Sequence, residues 1–128
     1  MTDDIYQEQI IDHYKNPRSF GGVKEPNVKV RESNASCGDL IEITMKVGRK
    51  TIKQVGFKGV GCAISVAAAS MLMERINKGE VKQSELESWG EEEMEEMLGI
   101  EVSETRKKCS MLALKAVKKG LLQIENLG

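Results

Sequence analysis

Residues 37–47 read CGDLIEITMKV, and the second half of this stretch indicates the fold class. From Ile41 to Val47, apolar residues alternate with Glu42, Thr44 and Lys46. A period of two predicts a β-strand with one buried side and one side facing solvent. Because only one side is apolar, the strand is expected in an antiparallel sheet that is covered on a single face.

Two further strands are predicted on either side of this one. Residues 28–31 alternate valine with lysine or arginine, and residues 51–58 carry Val55 and Phe57. Gly48-Arg49 is predicted to form a two-residue hairpin turn, with glycine at its first position. The expected product is a three-stranded antiparallel sheet.

Helical patterns flank the predicted sheet. A helix is predicted from about Asp3 to Asn16, stopped by Pro17, and the single histidine, His13, is expected at its surface or carboxyl end rather than as a ligand. After Gly61 the period changes from two to that of a helix. The predicted apolar stripes of the helices are Tyr6, Ile10 and Tyr14 in the first; Cys62, Val66, Ala69, Met73 and Ile76 in the second; and Cys109, Leu112, Ala113, Ala116 and Val117, ending near Gly120, in the last.

The order of elements indicates the architecture. One helix, three strands and then several helices predict an α+β fold, a three-stranded antiparallel sheet with helices packed on one face. Short helices are expected at residues 84–88 and 91–98. Residues 1–128 show no repeat and no linker, and are expected to form a single domain.

Composition argues against two classes of partner. The formal net charge is −1 and aromatic residues make up 4%, so neither a basic nucleic-acid footprint nor a platform for stacking bases is expected. No apolar run approaches the roughly 20 residues that span a bilayer. The polar start, Met1 to Asp4, is unlike a targeting segment, and the expected location is cytoplasmic.

The chain has three cysteines, which are Cys37, Cys62 and Cys109. In a reducing compartment, an odd number of widely separated cysteines favours metal binding or reactive thiols over a disulfide framework. The alternative is that all three are small buried apolar residues, as cysteine without a disulfide often is. The count alone leaves both interpretations open.

The local contexts favour chemistry over simple burial. Cys37 and Asp39 flank Gly38, and side chains two positions apart in an extended segment point to the same side. Cys62 stands at the predicted start of a helix, where the dipole favours thiolate. Cys109 follows the basic run 106–108, which also favours thiolate. Thiolate-rich sites select zinc or iron–sulfur chemistry, although these spacings are not those of a zinc finger.

Four motifs in order resemble one known family. They are residues 11–18 (IDHYKNPR), 36–39 (SCGD), 57–62 (FKGVGC) and 109–113 (CSMLA). The chain resembles the iron–sulfur cluster assembly scaffolds of the IscU type, which are related to SufU and to the amino-terminal part of NifU. The resemblance extends over nearly the whole chain.

The resemblance implies a scaffold rather than an enzyme. A cysteine desulfurase of the IscS, SufS or NifS kind would hand sulfur to the scaffold, and a labile 2Fe–2S cluster would form there and pass to apo-proteins. Cys37, Asp39, Cys62 and Cys109 match the family's cluster-binding positions, and Cys109 is the expected sulfur acceptor. The alternative is a zinc-binding, SufU-like sulfurtransferase, with zinc in the site.

This sequence departs from the family pattern in three places. Lys108 stands where the family often has a histidine ligand, and because a protonated lysine cannot ligate, Asp39 becomes the expected fourth ligand and Lys108 a modulating charge. Residues 102–106 replace the proline-containing segment that bacterial IscU presents to a chaperone, which puts chaperone-assisted release in doubt. The insertion that SufU-type proteins carry before the third cysteine is absent. The ligand set is small enough that a homo-oligomer is expected when a cluster is bound.

Overall fold

A computed structural model describes residues 2–36, 38–49 and 51–127 of the chain. It has the predicted α+β architecture, a three-stranded antiparallel sheet with packed helices. The elements are α1 (Thr2–Lys15), β1 (Val28–Asn34), β2 (Asp39–Val47), β3 (Ile52–Val60), α2 (Ala63–Asn77), α3 (Gln83–Leu86), α4 (Glu91–Leu98) and α5 (Glu104–Leu127).

The sheet has the order β1-β2-β3, with β2 in the centre. The alternating residues Ile41, Ile43 and Met45 are fully buried, because α2 and α5 pack on that face. The turn between β2 and β3 differs from the prediction. Its closing hydrogen bond runs from the Gly48 N–H to the Thr51 carbonyl at 2.8 Å, so Gly48 flanks the turn instead of taking its first position.

Helix α1 is attached to α2 by a buried histidine. Ile10 and His13 are buried, whereas Tyr14 is 45% exposed. The predicted apolar stripe through Tyr14 is therefore wrong by one position on the helix. The side chain of Tyr6 lies outside the described residues. His13 Nδ1 is 2.7 Å from Ser70 Oγ in α2. His13 is in the last turn of its helix, but the expectation of a surface position is wrong. The small residues at 67–69 of α2 are fully buried.

Helix α5 continues seven residues beyond Gly120, where the predicted apolar stripe ends. Gly120 lies against the sheet, and a Cβ there would come within 2.4 Å of Met45 Cε and 2.7 Å of Val28 Cγ1. The glycine is therefore a point of close packing inside the helix rather than a stop signal. Its tertiary role outweighs the usual cost of glycine in a helix interior.

Within the residues described, none of the helices combines the length and the apolar character needed to cross a membrane.

Candidate metal and sulfur site

The structure brings together three of the four residues that the sequence indicated. Oδ of Asp39 and the sulfur atoms of Cys62 and Cys109 all lie within 4.8 Å of one another. They come from the start of β2, the residue before α2 and the second turn of α5. The fourth residue, Cys37, lies outside the described residues.

Asp39 is the buried carboxylate of the cluster, at 2% exposure. Its Oδ1 accepts a hydrogen bond from the Cys62 backbone N–H at 3.0 Å. Its Oδ2 is buried and has no hydrogen-bond donor in the part of the chain that the structure describes. A buried carboxylate oxygen without a donor is costly, so this atom is placed to meet a cation.

Gly61 leaves the space in which that carboxylate lies. A Cβ at position 61 would meet Ser65 Oγ at 2.2 Å and Asp39 Oδ1 at 2.8 Å. Any side chain here would push the carboxylate or the first turn of α2 away. The glycine before Cys62 is therefore a requirement of the site's geometry.

Cys62 is the N-cap residue of α2, as predicted, and it is half-buried. Burial raises the pKa of its thiol, and the negative charge of Asp39 adds to that effect. Contacts with the Ser65 backbone N–H and hydroxyl and with Cys109 outweigh both, so the net pKa of Cys62 is below the usual value. The Ser65 hydroxyl donates to the Cys62 carbonyl at 3.0 Å, and because it has a single hydrogen, the carbonyl and the thiolate compete for it.

Cys109 lies deeper than Cys62, at 1% exposure. The Asn34 amide Nδ2 donates to its sulfur at 3.7 Å, across 75 residues of sequence. Sequence reasoning missed both Asn34 and Ser65. Asn34 looked like an ordinary strand-end residue, and no local pattern connects it to a thiol so far along the chain.

The three basic residues before Cys109 have different environments. Lys107 pairs with Glu104 at 3.1 Å and Glu91 at 3.8 Å, and its hydrogen bond to Glu104 raises its pKa. Lys108 is exposed. Arg106 precedes Cys109 by three residues, and residues so spaced share a helix face. Among residues 106–108, Arg106 is therefore the cation on the same face of α5 as Cys109.

The donor set fits a thiophilic cation. Two thiols and a carboxylate suit zinc or iron, and zinc bonds of about 2.0–2.3 Å in a tetrahedron put neighbouring ligand atoms roughly 3.3–3.8 Å apart. The separations of up to 4.8 Å are somewhat wider than this. A modest contraction would place all three atoms around one ion.

Comparison with known proteins shows the family of the chain. Residues 5–126 match the family model described as the NifU-like N-terminal domain. The chain belongs to this family. It also matches curated proteins and solved structures along most of its length.

Two relatives carry different functional names. The zinc-dependent sulfurtransferase SufU of Bacillus subtilis is 34% identical, with 96% of this chain and 93% of the relative covered. The iron–sulfur cluster assembly scaffold protein IscU of Thermotoga maritima is also 34% identical, with 94% of each covered. Among solved structures, a candidate iron–sulfur cluster assembly scaffold for the SUF system of Fervidobacterium islandicum has a TM-score of 0.70 and 27% identity, over 94% of this chain and 99% of that one.

Proposed function

We propose that this protein is a scaffold for iron–sulfur cluster assembly, which accepts sulfur from a cysteine desulfurase and holds a labile 2Fe–2S cluster before transfer to apo-proteins. The observation that carries the proposal is the buried Asp39 Oδ2, which has no donor among the described residues and lies beside the thiols of Cys62 and Cys109. Cys37 is proposed as the remaining thiolate ligand.

The sulfur-transfer step is a thiol exchange. A thiolate of the scaffold attacks the terminal sulfur of the desulfurase persulfide, a new S–S bond forms, and the desulfurase thiolate leaves with the electron pair of the broken bond. We assign the accepting role to Cys109, with Arg106 on its face of the helix favouring the thiolate. Because Cys109 is almost completely buried, the first turns of α5 must move before a partner reaches it.

Cluster assembly requires the accepted sulfur to be reduced to sulfide by two electrons from an external electron donor, with iron as the other substrate. Asp39 is the proposed fourth ligand, since Lys108 is a cation and is exposed. A carboxylate is a harder ligand than a thiolate and binds iron of a cluster less well. Asp39 would therefore keep the cluster weakly held and transferable, while Lys108 modulates the approach of charged substrates.

Anaerobic reconstitution tests the proposal. The protein is incubated with Fe²⁺, cysteine, a reductant and a cysteine desulfurase, and followed by visible absorption and Mössbauer spectroscopy. Wild type should show 2Fe–2S bands, and Asp39→Asn, which keeps the Oδ1 acceptor for Cys62, should show a changed cluster lifetime. Asp12→Asn is the matched control, because this exposed carboxylate in α1 pairs with Arg18 at 2.5 Å outside the cluster. Failure of reduced wild type to hold any cluster would contradict the proposal.

The second candidate is a zinc-dependent sulfurtransferase, with no cluster built. The close grouping of the three ligand atoms suits one ion, and the similarity to the zinc-dependent sulfurtransferase of B. subtilis points the same way. This function predicts zinc retained through purification and faster desulfurase turnover without cluster bands. Under either function we propose a cytoplasmic protein, and under the first an oligomer when the cluster is bound.

A further inference from the structure

Asn34 occupies the junction between two parts of the site. It ends β1, pairs with Asp39 in the sheet, and its carbonyl accepts a hydrogen bond from the Gly38 N–H at 2.9 Å. Asn34 is thus bonded to Gly38, the residue before Asp39, and paired with Asp39 itself.

The side chain of Asn34 makes a separate contact, with Cys109 in α5. It is 8% exposed, and its Nδ2 lies 3.7 Å from Cys109 Sγ, within range of an N–H···S hydrogen bond. An amide nitrogen is a donor without a basic lone pair, so it stabilises charge on sulfur without binding the ion itself. Groups that hold a ligand in this way typically change metal affinity by about 10- to 100-fold when they are removed.

We propose that Asn34 is a positioning residue, which holds the Cys109 sulfur toward Asp39 and Cys62 and so sets how strongly the site retains an ion. The inference rests on the proposed function only in taking Cys109 as a ligand. Its physical basis is the contact itself, which joins the strand-end turn to α5. Asn34 is not a ligand and does not react.

Cobalt binding tests the inference, because Co²⁺ replaces zinc or iron at thiolate sites and gives sulfur-to-metal charge-transfer bands. We expect Asn34→Ala to weaken Co²⁺ binding about 10-fold and to move that band to longer wavelength, since the sulfur loses a hydrogen-bond donor. The matched control is Asn27→Ala. Asn27, before the other end of β1, uses its side-chain amide to bond the Val47 backbone at 2.8 and 2.9 Å. Wild-type affinity and band position in Asn34→Ala would overturn the inference.

A metal-independent measurement separates this inference from the proposed function. In the ¹⁵N-labelled apo-protein, Cys109→Ala should shift the side-chain NH₂ resonances of Asn34 and leave those of Asn27 unchanged. An unchanged Asn34 signal would show that the contact is absent and would overturn the inference, whatever the protein binds. A wild-type chain that binds no Co²⁺ but shows the Asn34 shift would instead overturn the proposed function and leave the contact established.

Discussion

The two cysteines of the described site differ in access to solvent. Cys62 is half-buried at the start of α2 and has a lowered pKa, which results from contacts with Ser65 and Cys109 that outweigh burial. Cys109 is 1% exposed on α5. Reactivity toward a small electrophile depends on both thiolate content and access. The sulfur atoms are close together, yet they should react at different rates.

Cysteine alkylation measures this difference. In the metal-free protein with iodoacetamide at pH 7.5, we expect Cys62 to be labelled about tenfold or more faster than Cys109, because Cys62 is half-buried with a lowered pKa whereas Cys109 is almost completely buried. Quantitative mass spectrometry of the separate peptides provides the rates. In denaturant the two rates should converge, which controls for intrinsic peptide reactivity. Equal labelling of both cysteines in the folded protein would show that α5 opens readily.

At the scale of elements, α1 and α2 are joined by His13 and the residues after it. Ser70 Oγ contacts His13 Nδ1 and accepts the Arg18 backbone N–H at 2.8 Å. Burial lowers the pKa of His13, and the charge of Arg18 lowers it further, against the opposing effects of Glu74 and Asp12. Protonation of this single histidine therefore works against the attachment of the two helices.

The pH dependence of stability follows from this shift. Since the pKa of His13 in the folded protein is below its unfolded value of about 6.5, the unfolded chain takes up the proton first as pH falls. The free energy of unfolding should thus decrease below pH 6.5, with a slope of at most about 1.4 kcal/mol per pH unit. Urea unfolding between pH 7.5 and 5.5 measures it, and His13→Asn, which retains a polar group for Ser70, should lose this contribution. An identical slope in the variant would assign the effect to other groups.

Helix α5 depends on close contact at Gly120. Glycine to alanine in an ordinary helix interior stabilises by about 0.5–1 kcal/mol. Here the added methyl group would meet Met45 and the stiff side chain of Val28, and overpacking costs roughly 1–3 kcal/mol. The packing cost exceeds the helix gain.

We therefore expect Gly120→Ala to lower the free energy of unfolding by about 1 kcal/mol, as measured by urea denaturation. Lys115→Ala, at an exposed position of the same helix, should change it by less than about 0.5 kcal/mol. A stabilised Gly120→Ala protein would mean that α5 can move away from the sheet without cost.

At the scale of the whole molecule, the cluster of Asp39, Cys62 and Cys109 connects the sheet with two helices. Asp39 begins β2, Cys62 precedes α2, and Cys109 lies in α5. An unfolded chain does not hold these groups together, so an ion that binds the cluster stabilises the fold by mass action. Stability and metal occupancy should thus be linked.

Zinc titration of thermal unfolding measures this linkage. At a free zinc concentration of 100 times Kd, the folded state should gain up to about 2.7 kcal/mol, and a chelator should reverse the gain. Asp39→Asn should lose much of the increment, while Asp12→Asn should retain it. A zinc-independent melting temperature in wild type would contradict a site assembled from these elements.

The type and order of the main elements, and the candidate residues, were predictable from the sequence. The period-two pattern of Ile41 to Val47 and the helical period after Gly61 are local signals, because they depend on neighbours along one strand or helix. Residue identity also shows that Cys37, Cys62 and Cys109 would be soft ligands and that Asp39 would be a hard one. The expectation that these four residues form one site came from the family resemblance of the motifs.

The contacts between side chains of separate elements became known only from the tertiary structure. The burial of His13 against Ser70, the role of Gly120 as a packing point and the Asn34 contact to Cys109 each join residues from separate elements. The packing also buries Asp39 Oδ2 without a donor among the described residues and pairs Lys107 with Glu91 of α4. Local patterns cannot specify such contacts, because a side chain's partners across 57 or 75 residues are fixed by how helices and sheet pack together.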